Sequence, residues 1–120
     1  MNLIPIDPDK LLSYKNEECD ITFFYNCLNG ENSEKKDQLI YDLSKNYTND
    51  QQIPKIEILK LTDKLFDLFV KGWESNTIKL PPFPEDNKPS RCFADSDAKD
   101  FLVWKIILPS FVLSDEDKKK

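Results

Sequence analysis

The chain has 120 residues, of which 39% are hydrophobic and 32% are charged, and its formal net charge is −5. This length allows one hydrophobic core, so we expect a single domain over residues 1–120, folded rather than disordered. The acidic balance, with Arg91 as the sole arginine among 17 cationic residues, disfavours nucleic acid as a partner, because arginine is the side chain that reads guanine and clamps phosphate.

Two N-terminal segments are predicted to be helical. The Asp7-Pro8-Asp9 sequence is typical of a helix start, so we expect a short helix over residues 8–15. The run from 19 to 29 contains Ile-Thr-Phe-Phe-Tyr, which has strong strand propensity. Its polar residues nevertheless fall together at 100° per residue, and Gly30 stands where a helix would end. We therefore predict a second helix over 19–29, with a strand near 21–27 as the alternative.

Two longer helices are predicted in the middle of the chain. Ser33 and Glu34 form a favourable helix start, and apolar residues at helical spacing extend this helix over residues 34–47. In residues 54–73 the charged side chains occupy one arc of the helical wheel and the apolar ones the opposite arc. This pattern favours one continuous amphipathic helix over a strand followed by a helix.

Residues 74–94 show no periodicity and are predicted to form a long loop. Within it, the segment Lys79–Phe93 contains four of the eight prolines, and we call this segment the strap. Loops of this length in compact domains are usually functional or mobile. The Pro81–Pro84 spacing is only a minimal match to a polyproline ligand, so we expect a stiffened loop in which Phe83 plugs the helical bundle.

The last predicted element begins with an acidic cap at residues 94–97 and runs to Pro109. Its apolar residues surround the helix axis almost completely, which indicates a buried central helix, with a strand over 101–108 as the alternative. Residues 111–113 are expected to fold back onto the bundle, and residues 114–120 to form a frayed charged tail.

Together these elements predict an all-α fold, an irregular bundle of four or five helices with a long proline-rich loop before a buried C-terminal helix. The alternative is a small α/β fold with strands near 21–27 and 101–108.

Several kinds of chemistry are disfavoured by the residues and motifs that the sequence lacks. The chain has no histidine, which removes Ser-His and Cys-His nucleophile pairs and imidazole metal ligands. Its two glycines form no phosphate-binding loop. The acids Asp95, Asp97 and Asp100 resemble part of a calcium loop, but the glycine and the distal glutamate of that motif are missing. Capping of the following helix explains the presence of these acids instead. We therefore assign no catalytic, cofactor or metal residue.

The three cysteines, Cys19, Cys27 and Cys92, make an odd number without a C-x-x-C spacing, which fits a reducing compartment. The first residues lack the features of a secretory signal, and no apolar run approaches the ~20 residues that span a bilayer. We therefore expect a cytoplasmic protein that does not enter a membrane. Arg91 could activate the Cys92 thiol, although a packing role explains that cysteine more simply.

By elimination, the sequence predicts a small acidic non-enzymatic protein that binds another protein, such as an inhibitor, an immunity-type protein or an adaptor. The residues expected to contact the partner, whose identity the sequence does not define, are Trp73, Phe83, Arg91 and Phe93. The alternative is a structural subunit of a larger assembly, and a third hypothesis is a thiol-dependent enzyme that uses Cys92.

Overall fold

The computed structural model describes residues 10–48 and 50–111, which form a three-stranded antiparallel sheet and three α-helices. The elements are, in chain order, β1 (Leu11–Asn16), β2 (Ile21–Asn26), α1 (Gly30–Ser44), α2 (Lys55–Phe69), β3 (Val70–Glu74), a 3-10 turn (Pro89–Cys92) and α3 (Ser96–Phe101), which continues as a π-helical segment (Leu102–Ile107). The predicted all-α bundle of four or five helices is therefore wrong, whereas the alternative class, a small α/β fold, fits.

The two N-terminal helices predicted over 8–15 and 19–29 are wrong, since this region forms the β1–β2 hairpin. The Asp7-Pro8-Asp9 signal lies outside the described residues. In β2 the side chains alternate, and those that face the core are buried: Ile21, Phe23 and Tyr25. Strand propensity prevails because β2 is the central strand and pairs on both sides, with β1 and with β3.

The hairpin turn is closed by polar contacts around Asp20, which has a left-handed backbone with φ of 52°. The Thr77 hydroxyl donates to the Asp20 carboxylate at 2.9 Å, and the Lys15 ammonium lies 3.5 Å from it. The hydrogen bond from Thr77, together with the charge of Lys15, lowers the pKa of the Asp20 carboxyl. The beginning of the long loop is thereby tied to the hairpin.

The helix predicted over 34–47 is confirmed as α1, but it begins four residues earlier, at Gly30. Its cap is Asn29 rather than Ser33: Asn29 and the buried Asn32 each accept a hydrogen bond from the other's backbone N–H, at 2.9 and 2.8 Å. Gly30 thus starts α1 instead of ending a preceding helix. The asparagine pair is the capping box, in which both terminal N–H groups gain an acceptor.

The helix predicted over 54–73 is confirmed as far as Phe69, and the next residue begins β3. The chain changes from helix to strand at Val70 without a loop, which places Trp73 opposite Phe23 in the sheet. The sequence gives no sign of the change from helix to strand, because both α2 and β3 bury apolar side chains in the same core. The last four residues of the prediction were therefore assigned to the wrong element.

The C-terminal helix is confirmed from Ser96, and the strand considered over 101–108 is wrong. The carboxylate of Asp95 accepts from the N–H groups of Asp97 and Ala98 at 3.0 and 3.1 Å, as the capping interpretation predicts. The predicted burial on all sides is also wrong, because Phe101 is 47% exposed while the buried residues share one face: Leu102, Val103 and Ile107.

The central helix is α2, which contacts α1, β3, the 3-10 turn, α3 and the π-helical segment. Its side chains Leu65, Phe66 and Phe69 have at most 1% exposure. Phe111 packs on Phe69 with ring centroids 5.3 Å apart, so the chain does return to the core there. The predicted tail over 114–120 lies outside the described residues.

Candidate functional site

The strap is attached to the sheet through Trp73. The Trp73 indole N–H donates to the backbone carbonyl of Pro81 at 2.8 Å, and its ring lies 5.1 Å from the ring of Phe83. Both aromatic side chains are half-buried. The first half of the strap therefore lies along the end of β3, although Phe83 packs on Trp73 rather than plugging a helical bundle as predicted.

Phe93, at the other end of the strap, is the aromatic residue that joins the core. Its ring centroid lies 5.0 Å from that of Trp73, 5.5 Å from Phe23 and 6.1 Å from Phe66. All three contacts are edge-to-face, the arrangement that aromatic pairs prefer. Phe93 thereby links the sheet to α2.

Hydrogen bonds to Ser90 fasten the 3-10 turn of the strap to α2. The Asp67 carboxylate accepts from the Ser90 N–H at 2.8 Å and from its hydroxyl at 3.1 Å. The Ser90 carbonyl accepts from the Lys99 ammonium at 3.1 Å, and Lys99 also lies 2.9 Å from the Asp63 carboxylate. Since Ser90 and Lys99 are both buried, the hydrogen bonds at Ser90 are shielded from solvent, whereas the Asp63 side chain is half exposed.

The tip of the strap faces outward. The Asn87 N–H donates to the Pro84 carbonyl at 3.3 Å, and Asn87 has a left-handed backbone with φ of 57°. The Lys88 N–H donates to the Asp86 carboxylate at 3.1 Å, and Arg91 forms an ion pair with the same carboxylate. Asparagine tolerates the left-handed region better than most residues, so this turn suits its sequence.

An apolar pocket of about 240 Å³ opens between the hairpin, the end of the strap and the start of α3. Its walls are formed mainly by apolar side chains, among them Tyr14, Ile21, Phe23, Phe66, Phe93 and Phe101. Among the described residues, its polar side-chain groups are the Tyr14 hydroxyl and those of Asn16, Asp95 and Lys99. Because Phe101 is 47% exposed, one wall of the pocket is also part of the protein surface.

Two thiols, Cys19 and Cys92, line the same pocket and are half-buried. Cys19 reaches it from the hairpin turn and Cys92 from the last residue of the 3-10 turn. Within residues 10–48 and 50–111, no group of three or more His, Cys, Asp or Glu side chains could bind a metal ion. The arrangement is that of an apolar pocket with two free thiols in its walls.

Three of the four residues predicted to bind a partner, Trp73, Phe83 and Phe93, lie together in one aromatic cluster. Arg91 is separate from this cluster, and its side chain is 66% exposed. The sequence reasoning missed Phe101 and Cys19 as pocket residues. No local signal indicated Cys19, because it reaches the pocket only when residues 11–26 form a hairpin.

No protein-family model, curated protein or solved structure matches this chain. In the part of the chain that the structure describes, no helix is long and apolar enough to cross a membrane.

Proposed function

We propose that this chain is a small non-enzymatic protein-binding domain, of the inhibitor, immunity or adaptor type, and that its apolar pocket receives a large side chain of the partner. The observation that carries the proposal is the pocket of about 240 Å³ bounded by Phe93 and Phe101. Protein interfaces gain most of their affinity from a few aromatic or aliphatic side chains that enter such pockets.

The size and chemistry of the pocket support an apolar occupant. An apolar cavity of about 150 Å³ in a protein binds benzene, so a cavity of about 240 Å³ accommodates a phenylalanine or leucine side chain. The neighbouring strap adds Trp73 and Phe83 to an apolar region beside the pocket. The proposed interface thus consists of the pocket and the outer edge of the aromatic cluster.

The charged groups at the pocket favour binding over chemistry. Lys99 interacts with Asp63 and with the Ser90 carbonyl, and Asp95 caps α3. These groups serve the fold, and general acid or base catalysis needs a group that is available to the substrate. A cytoplasmic location is part of the proposal, because the half-buried thiols Cys19 and Cys92 persist best in a reducing compartment.

The test begins with capture of the partner from an extract of the native host on the immobilised full chain, followed by identification by mass spectrometry. The affinity of the recombinant partner is then measured by calorimetry. The Phe101→Asp variant is expected to lose at least about 2 kcal/mol of binding free energy, the usual effect of removing a central anchor. Because Phe101 is 47% exposed, this substitution leaves the core intact.

The matched control is Ile56→Asp, which changes another exposed apolar residue, 60% accessible, on α2. It should leave the affinity unchanged. If the two variants bind equally well, or if both lose binding equally, the pocket is not the interface.

A second candidate, a structural subunit of a larger assembly, is favoured by a different surface. This surface is an open groove of about 450 Å³ whose apolar lining consists of Ile40, Leu43, Ile53, Ile58, Leu61 and Trp104. Sedimentation of the purified chain at low micromolar concentration separates the two hypotheses. A monomer contradicts self-assembly, whereas an oligomer dissociated by Ile53→Asp, a change in the lining of the groove, supports it.

A further inference from the structure

A second groove, of about 470 Å³, lies between α1, α2 and the tip of the strap. Its apolar part is formed by Leu39 and Leu68, which are half-buried. The polar residues around it are Lys35, Gln38, Lys64, Asp67, Asp86, Asn87 and Lys88. None of these residues lines the apolar pocket beside Phe101, so the two surfaces are distinct.

The acids of this groove are engaged by neighbouring groups. Asp67 accepts two hydrogen bonds from Ser90, and Asp86 forms an ion pair with Arg91. Among residues 10–48 and 50–111, neither Lys64 nor Lys88 forms an ion pair. Lys35 pairs with Glu31, and Asp67 keeps its negative charge because Ser90 is neutral. The unpaired Lys64 and Lys88 therefore leave a small local excess of positive charge on a chain whose net charge is −5.

Lys71, in β3, is a further lysine close enough to Lys35 and Asp67 to interact with their charges. Burial lowers the pKa of its ammonium group, the charge of Asp67 opposes this effect, and the charge of Lys35 lowers the pKa further. Since Lys35 and Asp67 both line the groove, the positive potential of Lys71 reaches the same surface. A bound carboxylate would relieve the repulsion among these lysines.

We propose that this groove binds an acidic segment of a partner protein, with carboxylates directed to Lys64 and Lys88 and an apolar side chain on Leu39 and Leu68. The unpaired lysines favour a ligand with carboxylates, because the charges are complementary. The apolar surface of Leu39 and Leu68, which we call the leucine floor, favours a ligand that also has an apolar side chain.

Nucleic acid fits this surface less well. Among residues 10–48 and 50–111, the groove lining contains no aromatic side chain on which bases could stack and no arginine. The overall negative charge of the chain also repels a long polyanion. A short acidic peptide can pair with the few local lysines and is repelled less than a long polyanion, because it carries fewer negative charges. A direct binding experiment therefore distinguishes the two ligands by their affinities.

The experiment measures fluorescence anisotropy of a labelled short peptide of glutamates around a central leucine pair, titrated with the full chain at low salt. Lys64→Glu is expected to weaken binding about tenfold, because it replaces attraction by repulsion at the groove rim. Lys88→Glu, placed in the strap rather than in a helix, should have a similar effect. Circular dichroism verifies that each variant is folded.

The charge-matched control is Lys105→Glu, which alters the net charge equally at an exposed residue of the π-helical segment. It should bind the peptide as the wild type does. Equal weakening by Lys105→Glu would overturn the proposal, because binding would then follow only the overall charge.

Two further ligands complete the test. A peptide with serine in place of leucine should bind more weakly than the original, and equal binding would overturn the role of the leucine floor. A single-stranded oligonucleotide of similar charge should bind more weakly than the acidic peptide. Tighter binding of the oligonucleotide would overturn the assignment to a protein ligand.

Discussion

The two sides of the strap differ in what they contact. Its inner side buries the 3-10 turn against α2 and packs Phe93 on the rings of Phe23, Phe66 and Trp73. Its outer side consists of an exposed turn at residues 85–88 and the Arg91–Asp86 ion pair. The inner contacts are apolar or shielded, whereas the outer ones are exposed to water and to salt.

The contrast indicates a division of roles within fifteen residues of chain. Apolar contacts and buried hydrogen bonds on the inner side stabilise the fold. Charged groups on the outer side contribute little stability, since exposed ion pairs are weak, but they determine which ligands the surface attracts. The two proposed interfaces lie on different sides of the strap. Phe93, on the inner side, lines the apolar pocket, and Lys88, on the outer side, lines the groove between α1, α2 and the tip of the strap.

The largest expected effect comes from Phe93→Ala. Removing a ring that contacts three others should lower the free energy of unfolding by about 3 kcal/mol, which urea denaturation measures. Phe83→Ala is the comparison within the strap, because the Phe83 ring packs on Trp73 alone among the described rings. Its loss should be about 1 kcal/mol. Equal losses would contradict the distinction between the two ends of the strap.

Asp67→Ala should have the next largest effect. It leaves the buried Ser90 N–H without its acceptor, at a cost of about 2 kcal/mol in unfolding free energy. Hydrogen exchange of the Ser90 amide should accelerate at the same time, as the 3-10 turn loosens. Asp67→Asn retains one side-chain oxygen and should lose less. A slow Ser90 amide in Asp67→Ala would show that this turn is fastened by other contacts.

A smaller effect is expected at the tip, where Asn87 has a left-handed backbone. Asn87→Val should lower the unfolding free energy by about 1 kcal/mol, because a β-branched side chain collides with the backbone in this conformation. Asn87→Gly should be nearly neutral in the same denaturation experiment. If valine is tolerated as well as glycine, the turn at the tip has no required conformation.

The amphipathic helices could be predicted because their signal is local and long. Both α1 and α2 have 15 residues, enough for several turns of apolar periodicity, and their errors are confined to the ends. The six residues of β2 are compatible with both a helical and a strand pattern. What decides between them is pairing with β1 and β3, and the partner of Phe23 in β3 is Trp73, far along the chain. Such pairing cannot be derived from a short local window.

The candidate site could be predicted only in part, for the same reason. Proline content correctly indicated an irregular strap. Phe83 and Phe93 were singled out as partner-binding residues, which stays a prediction, and their packing with Trp73 in one cluster was not foreseen. The orientation of Phe93 depends on its contacts with Phe23 and Phe66. Phe23 lies in β2, which was predicted as a helix, and Phe66 lies in α2. The exposure of Phe101 depends on which face of the C-terminal helix meets α2. Both are properties of packing, and composition does not reveal them.

The smallest effect on stability, and the sharpest separation of the two sides, is expected from Arg91→Ala. The Arg91–Asp86 pair is exposed, so its loss should change the unfolding free energy by less than about 1 kcal/mol. The uncompensated Asp86 carboxylate would then repel an acidic ligand at the groove, and we expect the glutamate–leucine peptide to bind about two- to fivefold more weakly. Arg91→Lys should restore most of the affinity, and added salt should reduce the difference. A loss of stability as large as that of Phe93→Ala, with unchanged peptide binding, would reverse the roles assigned to the two sides.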